Sequence, residues 1–223
     1  MSEDRRPISQ RSHGWAKALA SALVKAGVTP NVISFTSIVF AALAGACFYA
    51  IGIATSVGDR VMLCVGAALF CQLRLLANMM DGMVAVEGGK GAPDGPVWNE
   101  LPDRFADIFV LVGAGYGVAA LGWADVSLGW AAAVAAVMTA YVREVAKSAG
   151  APVDFSGPMA KPHRMFVMTM AALLAAGVSL WFGQDEGVMA ARVITFALWI
   201  VLIGAIFTTL NRAWRALAFL NKR

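Results

Sequence analysis

Asn78-Met79-Met80-Asp81-Gly82-Met83-Val84-Ala85 stands where an apolar run should be closing, and Gly95-Pro96-Val97-Trp98-Asn99-Glu100-Leu101-Pro102-Asp103 follows after a Gly-rich turn. Asn78 and Asp81 are three apart and Asn99 and Asp103 four apart, so on two helices each pair projects from one face. Four oxygen-bearing side chains then converge beside an apolar slab. That is a hard-cation site, most naturally for Mg²⁺ and secondarily for Mn²⁺. Mg²⁺ keeps coordination positions open and fills them with substrate phosphates. The stretch predicts a membrane enzyme working on a phosphate-bearing substrate at the bilayer surface.

The rest of the chain agrees with a bilayer setting. Of 223 residues, 59% are hydrophobic and 14% charged, with a mean hydropathy of +0.68. A soluble domain carries about 25% charged residues, so this chain cannot clothe a water-facing surface. Cys47, Cys64 and Cys71 lie singly in apolar runs and read as small buried hydrophobes. Residues 1–26 are charged and lack an apolar signal core.

Six stretches approach the roughly 20 residues a transmembrane helix needs: 32–55, 61–84, 105–123, 126–145, 165–182 and 192–210. Trp15, Leu19, Ala22 and Leu23 share one face of a short segment that predicts an interfacial helix. The fold expected is all-α: a polytopic membrane protein with six transmembrane helices plus an N-terminal interfacial helix. Its parts are a cytosolic segment 1–31, a membrane domain 32–212 and a basic tail 213–223. Lys and Arg fall in the N-terminal segment, the second-to-third and fourth-to-fifth connections and the tail, while only Arg60 and Arg192 fall on the other side. The positive-inside rule places both termini and the polar motif in the cytoplasm. Nucleic acid is not an expected partner; the bilayer is.

Ionisable groups within a span are costly and mark function. Arg74, seven residues before Asp81 on the same face, is the candidate for a purely structural pair with it. Asn78 and Asn99 each also suit interhelical hydrogen bonding. Gly82 and Ala85 continue the Asp81 face and permit close approach, by ligand or by helix.

The motif as a whole resembles the signature of the CDP-alcohol phosphotransferases, D-x-x-D-G-x-x-A-R, eight residues, G-x-x-x-D-x-x-x-D. Every spacing is kept by Asn78, Asp81, Gly82, Ala85, Gly95, Asn99 and Asp103. Thr29-Pro30-Asn31 resembles the family's entry motif. The resemblance implies transfer of a phosphatidyl or related group from a CDP-linked lipid such as CDP-diacylglycerol to an acceptor alcohol, with release of CMP, in phospholipid biosynthesis. It implies metal ligation by Asn78, Asp81, Asn99 and Asp103, with Asp103 also the general base. It places Asn31, Gly82, Ala85 and Gly95 near the nucleotide, and a homodimer and a bacterial-type inner membrane accord with it. This chain departs at Asn78, Asn99 and Val86, so it is a divergent relative with half the family's acidic charge.

Asp107, one turn beyond Asp103, is a second candidate acid. Lys90, Arg143, Lys161 and Arg164 are candidates for a phosphate on the acceptor, with positive-inside topology as the alternative reading of these basic residues. Two other functions stand beside the transferase: an impaired relative that binds lipid or nucleotide, and a small transporter with Asp81 and Asp103 in its path.

Overall fold

The computed structural model describes residues 13–88, 94–183 and 187–222, apart from the side chains of Glu87, Pro96 and Asn99. Among these there are seven helices and no strand: α1 Gly14–Lys25, α2 Pro30–Ile51, α3 Val57–Glu87, α4 Gly95–Ala120, α5 Ser127–Ser148, α6 Lys161–Phe182 and α7 Val188–Leu220. The protein is a polytopic all-helical membrane protein.

Helix starts follow local chemistry. The Thr29 hydroxyl accepts from the Val32 amide at 3.4 Å, and Pro30 occupies the first turn of α2, where a missing N–H costs nothing. Ser56 caps α3 through the Asp59 amide at 3.0 Å. α2, α3, α5, α6 and α7 are long and apolar enough to cross a membrane. α4 has 26 residues, about 39 Å at 1.5 Å per residue. Glu100, Asp103, Arg104 and Asp107 crowd its first half, so its uncharged part is confined to 108–120. It starts at Gly95, ten residues before the expected span, because Gly95-Pro96 opens the helix and the polar motif lies inside it. α7 runs through the expected boundary at 212, so most of the basic tail is its last turns.

Sizes are distributed for a lipid solvent. Ala41, Ala44, Ala67, Ala132, Ala172 and Ala205 are fully buried, while Phe35, Leu69, Phe166, Trp181, Phe196 and Phe207 are exposed. Lipid tails gain nothing from excluding large apolar groups, so helices associate through small residues that let backbones approach. A Cβ on Gly45 would stand 2.2 Å from the Phe109 carbonyl oxygen, and one on Gly113 2.2 Å from that of Gly45. α2 and α4 thus touch backbone to backbone, and α2 also packs on α3. Gly113→Ala is expected to force these helices apart and destabilise the protein by about 1–3 kcal/mol. Thermal unfolding in detergent reads this, and an unchanged midpoint would show that the contact is compliant.

α1 buries Ala16 and Ala20 against α3 and leaves Trp15 exposed, the disposition of a helix lying at the interface. Arg192 stacks over Trp123 at 4.4 Å at the opposite end of the bundle.

Candidate active site

α2, α4 and α6 begin, and α3, α5 and α7 end, at one end of the bundle. α3 has 31 residues, about 46 Å, against a hydrocarbon core of about 30 Å. Its last turns therefore carry Asn78 and Asp81 towards the interface.

Asp81 is 4% exposed. Its Oδ2 accepts from the Ser34 hydroxyl of α2 at 2.9 Å. Its Oδ1 is buried with no hydrogen-bond partner among the described residues. Asp103 is also buried but fully engaged. Its Oδ1 accepts from Arg74 Nη2 at 2.9 Å and from Asn78 Nδ2 at 3.2 Å, and its Oδ2 from Lys161 Nζ. Lys161 Nζ also donates to Asn78 Oδ1. Asn78, Asp103 and Lys161 close a triangle across α3, α4 and α6. Two carboxylates and two cations make the cluster neutral, and Arg74 has no exposed side-chain surface.

Arg74 therefore does not pair with Asp81, the partner the sequence offered. It reaches across to α4, and its Nε and Nη1 are buried without hydrogen-bond partners among the described residues. Asn99 lies on α4 one turn before Asp103, but its side chain lies outside the described residues, as does all of Lys90. Among the described residues no three His, Cys, Asp or Glu side chains gather as a metal set.

The second acid is committed elsewhere. Arg164 Nη2 meets Asp107 Oδ2 at 2.5 Å, with both side chains within 1% of full burial. Arg164 Nη1 donates to the Met159 carbonyl at 2.7 Å and to the Thr139 hydroxyl at 3.2 Å. The pair holds α4, α5, α6 and the loop before α6 together, so neither group presents itself to a substrate. Arg143 is likewise engaged, by Glu100 at 2.5 Å and Glu144 at 2.9 Å, and lies over the Phe155 ring. Arg212 donates to the carbonyls of Ser156 and Thr139, fixing the α5–α6 loop to α7. Burial pushes Asp154 up within that loop, but hydrogen bonds from Ser156 and the Arg215 and Arg212 charges outweigh it and hold the carboxyl below its usual range.

Asn31 Nδ2 donates to Asp94 Oδ2 at 3.3 Å, which brings the start of α2 beside Gly95. A Cβ on Gly95 would meet nothing within 4 Å among the described residues, which leave space there open. Gly82, next to Asp81, and Ala85, one turn beyond it, are half-buried. Sequence reasoning missed Ser34, Glu100, Thr139 and Arg212. Ser34, five residues into a span and one turn after Asn31, is the only one with a local signal.

A bundle of this form, with a buried cluster of paired charges near one end of its helices, defines the class: a multi-pass membrane protein with a polar site at one end of the bundle. No protein-family profile matches the chain. It is similar to phosphatidylinositol phosphate synthases. It is 26% identical over 197 residues to that of Mycobacteroides abscessus, covering 87% of this chain and 80% of that protein. It is 26% identical over 201 residues to that of Mycolicibacterium smegmatis, covering 88% and 81%. The fold matches crystal structures of the Mycobacterium tuberculosis phosphatidylinositol phosphate synthase. With manganese and citrate bound, that structure gives a TM-score of 0.68 at 20% identity, covering 91% of this chain and 88% of that one. With CDP-DAG bound, it gives 0.67 at 21% identity, covering 90% and 92%.

Proposed function

We propose that this protein is a CDP-alcohol phosphatidyltransferase that moves the phosphatidyl group of a CDP-linked lipid, CDP-diacylglycerol, to an acceptor alcohol and releases CMP. The observation that carries the reading is the convergence of Asp81 and Asp103, at the motif's spacing, in one buried cluster at the end of a bundle folded like a phosphatidylinositol phosphate synthase. Its place is a bacterial-type cell membrane, with the site and both termini on the cytoplasmic side, where the basic residues concentrate.

The buried Asp81 Oδ1 without a partner fits a divalent cation, Mg²⁺ or Mn²⁺. Asn78, one turn earlier on α3, offers a carbonyl oxygen and Asp103 a second carboxylate; Asn99 is assigned to the set by the motif's spacing alone. Held there, the ion would polarise the diphosphate and favour departure of CMP. The remaining chemistry belongs to the chain. Asp103 accepts the proton of the attacking alcohol as its oxygen bonds to the β-phosphorus and the bond to CMP breaks. Arg74, fixed beneath it, offsets charge without moving. The open space beside Gly95 and Asn31 receives the nucleotide.

The test is release of labelled CMP from CDP-diacylglycerol by purified protein, with and without Mg²⁺, against a panel of acceptors. The relatives' names put inositol phosphate first in that panel. CMP release with lipid product supports the transferase. Tight CDP-lipid binding without release would instead support an impaired binding protein, the reading that the engaged oxygens of Asp103 favour. Asp81→Asn is expected to raise the Mg²⁺ concentration for half-maximal release roughly tenfold or more, because ligand charge tunes hard-cation affinity. An unchanged midpoint would remove Asp81 from the ligand set.

A further inference from the structure

Two cations hold Asp103, and they differ in one respect. Arg74 has no exposed side-chain surface and sits mid-helix, so it cannot withdraw. Lys161 is the first residue of α6, its side chain is 23% exposed, and its ammonium rides on a flexible four-carbon stem. Its Nζ bridges two oxygens, Asn78 Oδ1 and Asp103 Oδ2, from two different helices. An ammonium placed there occupies the oxygens that a divalent ion at Asp81 would need to complete its coordination. It also fills the lone pairs that Asp103 needs as a base. Asp81 keeps one buried oxygen unpartnered beside this filled position.

We propose that Lys161 is a retractable internal cation: it competes with the divalent ion for Asn78 Oδ1 and Asp103 Oδ2, closes the site while no ion is bound, and swings to the surface when one loads. The proposal rests on the metal-dependent reading above. It assigns Lys161 to the acidic cluster first and to a substrate phosphate only after release. Asn at position 78 suits this device, since its carbonyl accepts from the ammonium while its amide donates to Asp103. A carboxylate at position 78 would hold the ammonium more firmly and make it harder to displace.

Two readouts need no lipid substrate and no turnover. In the first, wild-type protein in detergent is reductively methylated with and without Mn²⁺, and labelling is measured by peptide mass spectrometry. Labelling of Lys161 is expected to rise several-fold with Mn²⁺, while that of Lys17 and Lys25 stays constant. In the second, Mn²⁺ binding is followed by loss of the free-ion electron paramagnetic resonance signal. Lys161→Met is expected to bind Mn²⁺ about tenfold more tightly than wild type, because a like charge has left the site; Lys161→Arg is expected not to. Labelling of Lys161 that is constant or falls with Mn²⁺ overturns the proposal, whatever the variants do. So does Mn²⁺ affinity in a folded Lys161→Met that is unchanged or weaker. Failure of CMP release would count against the transferase and leave both readouts standing, so the two ideas fail separately.

Discussion

Asp103→Asn is expected to lower CMP release by about 10²–10⁴-fold, the usual contribution of a general base. The substitution is nearly isosteric. Its remaining carbonyl still accepts from Arg74, but no oxygen can take a proton from the acceptor alcohol. Arg74 is also left buried opposite a neutral group, so a lower unfolding temperature accompanies the loss. Titration with CDP separates the two effects: nucleotide binding is retained if the base alone is missing and lost if the cluster has collapsed. Turnover above a tenth of wild type would show that the proton goes elsewhere.

Arg164→Met should be the most destabilising of the single changes considered. Both members of the Arg164–Asp107 pair are buried, and removing one leaves an uncompensated carboxylate between helices, at a cost of about 3–5 kcal/mol. The double variant Arg164→Met with Asp107→Leu is expected to recover most of that loss, since a buried ion pair replaced by apolar groups of similar volume is often neutral. Unfolding in detergent measures both. Had Arg164 instead served an acceptor phosphate, the single variant would keep its stability and raise only the acceptor KM, and the Asp107 change would rescue nothing. The recovery of the double variant is therefore the decisive observation.

The motif singled out Asp103 and left Asp107, one turn further along α4, as a second candidate, but the neighbours of neither could be read from the sequence. Asp103 faces α3 and α6, whereas Asp107, about 6 Å further along the axis, meets Arg164 and through it Thr139 and the Met159 carbonyl. Four residues turn a helix by about 400°, so the two side chains differ in direction by about 40°. That offset, with the axial rise, suffices to change partners. The basic residues grouped as one cluster in the sequence separate in the same way. Arg143 goes to Glu100, Arg164 to Asp107, and Lys161 alone to the site.

The sequence by itself determined that this is a membrane protein, because its charged residues are too few to face water. It marked the start of α2, because Thr29-Pro30 satisfies exposed amides locally, but it placed the start of α4 ten residues late. It offered Asp81 and Asp103 as the candidate acids, because the motif's spacing puts each on a defined helix face. Only the tertiary structure decided what those acids touch. The sequence offered Arg74 to Asp81, but seven residues along one helix is about 10 Å, beyond an ion pair unless the side chain folds back. Asp103 lies nearer, across the gap that α2 sets by packing on α3 and, through Gly45 and Gly113, on α4. Distances within a helix are written in the chain, whereas distances between helices depend on how closely their backbones approach. Here glycines set that approach, and it leaves Asp103 held by two cations and one oxygen of Asp81 without a partner.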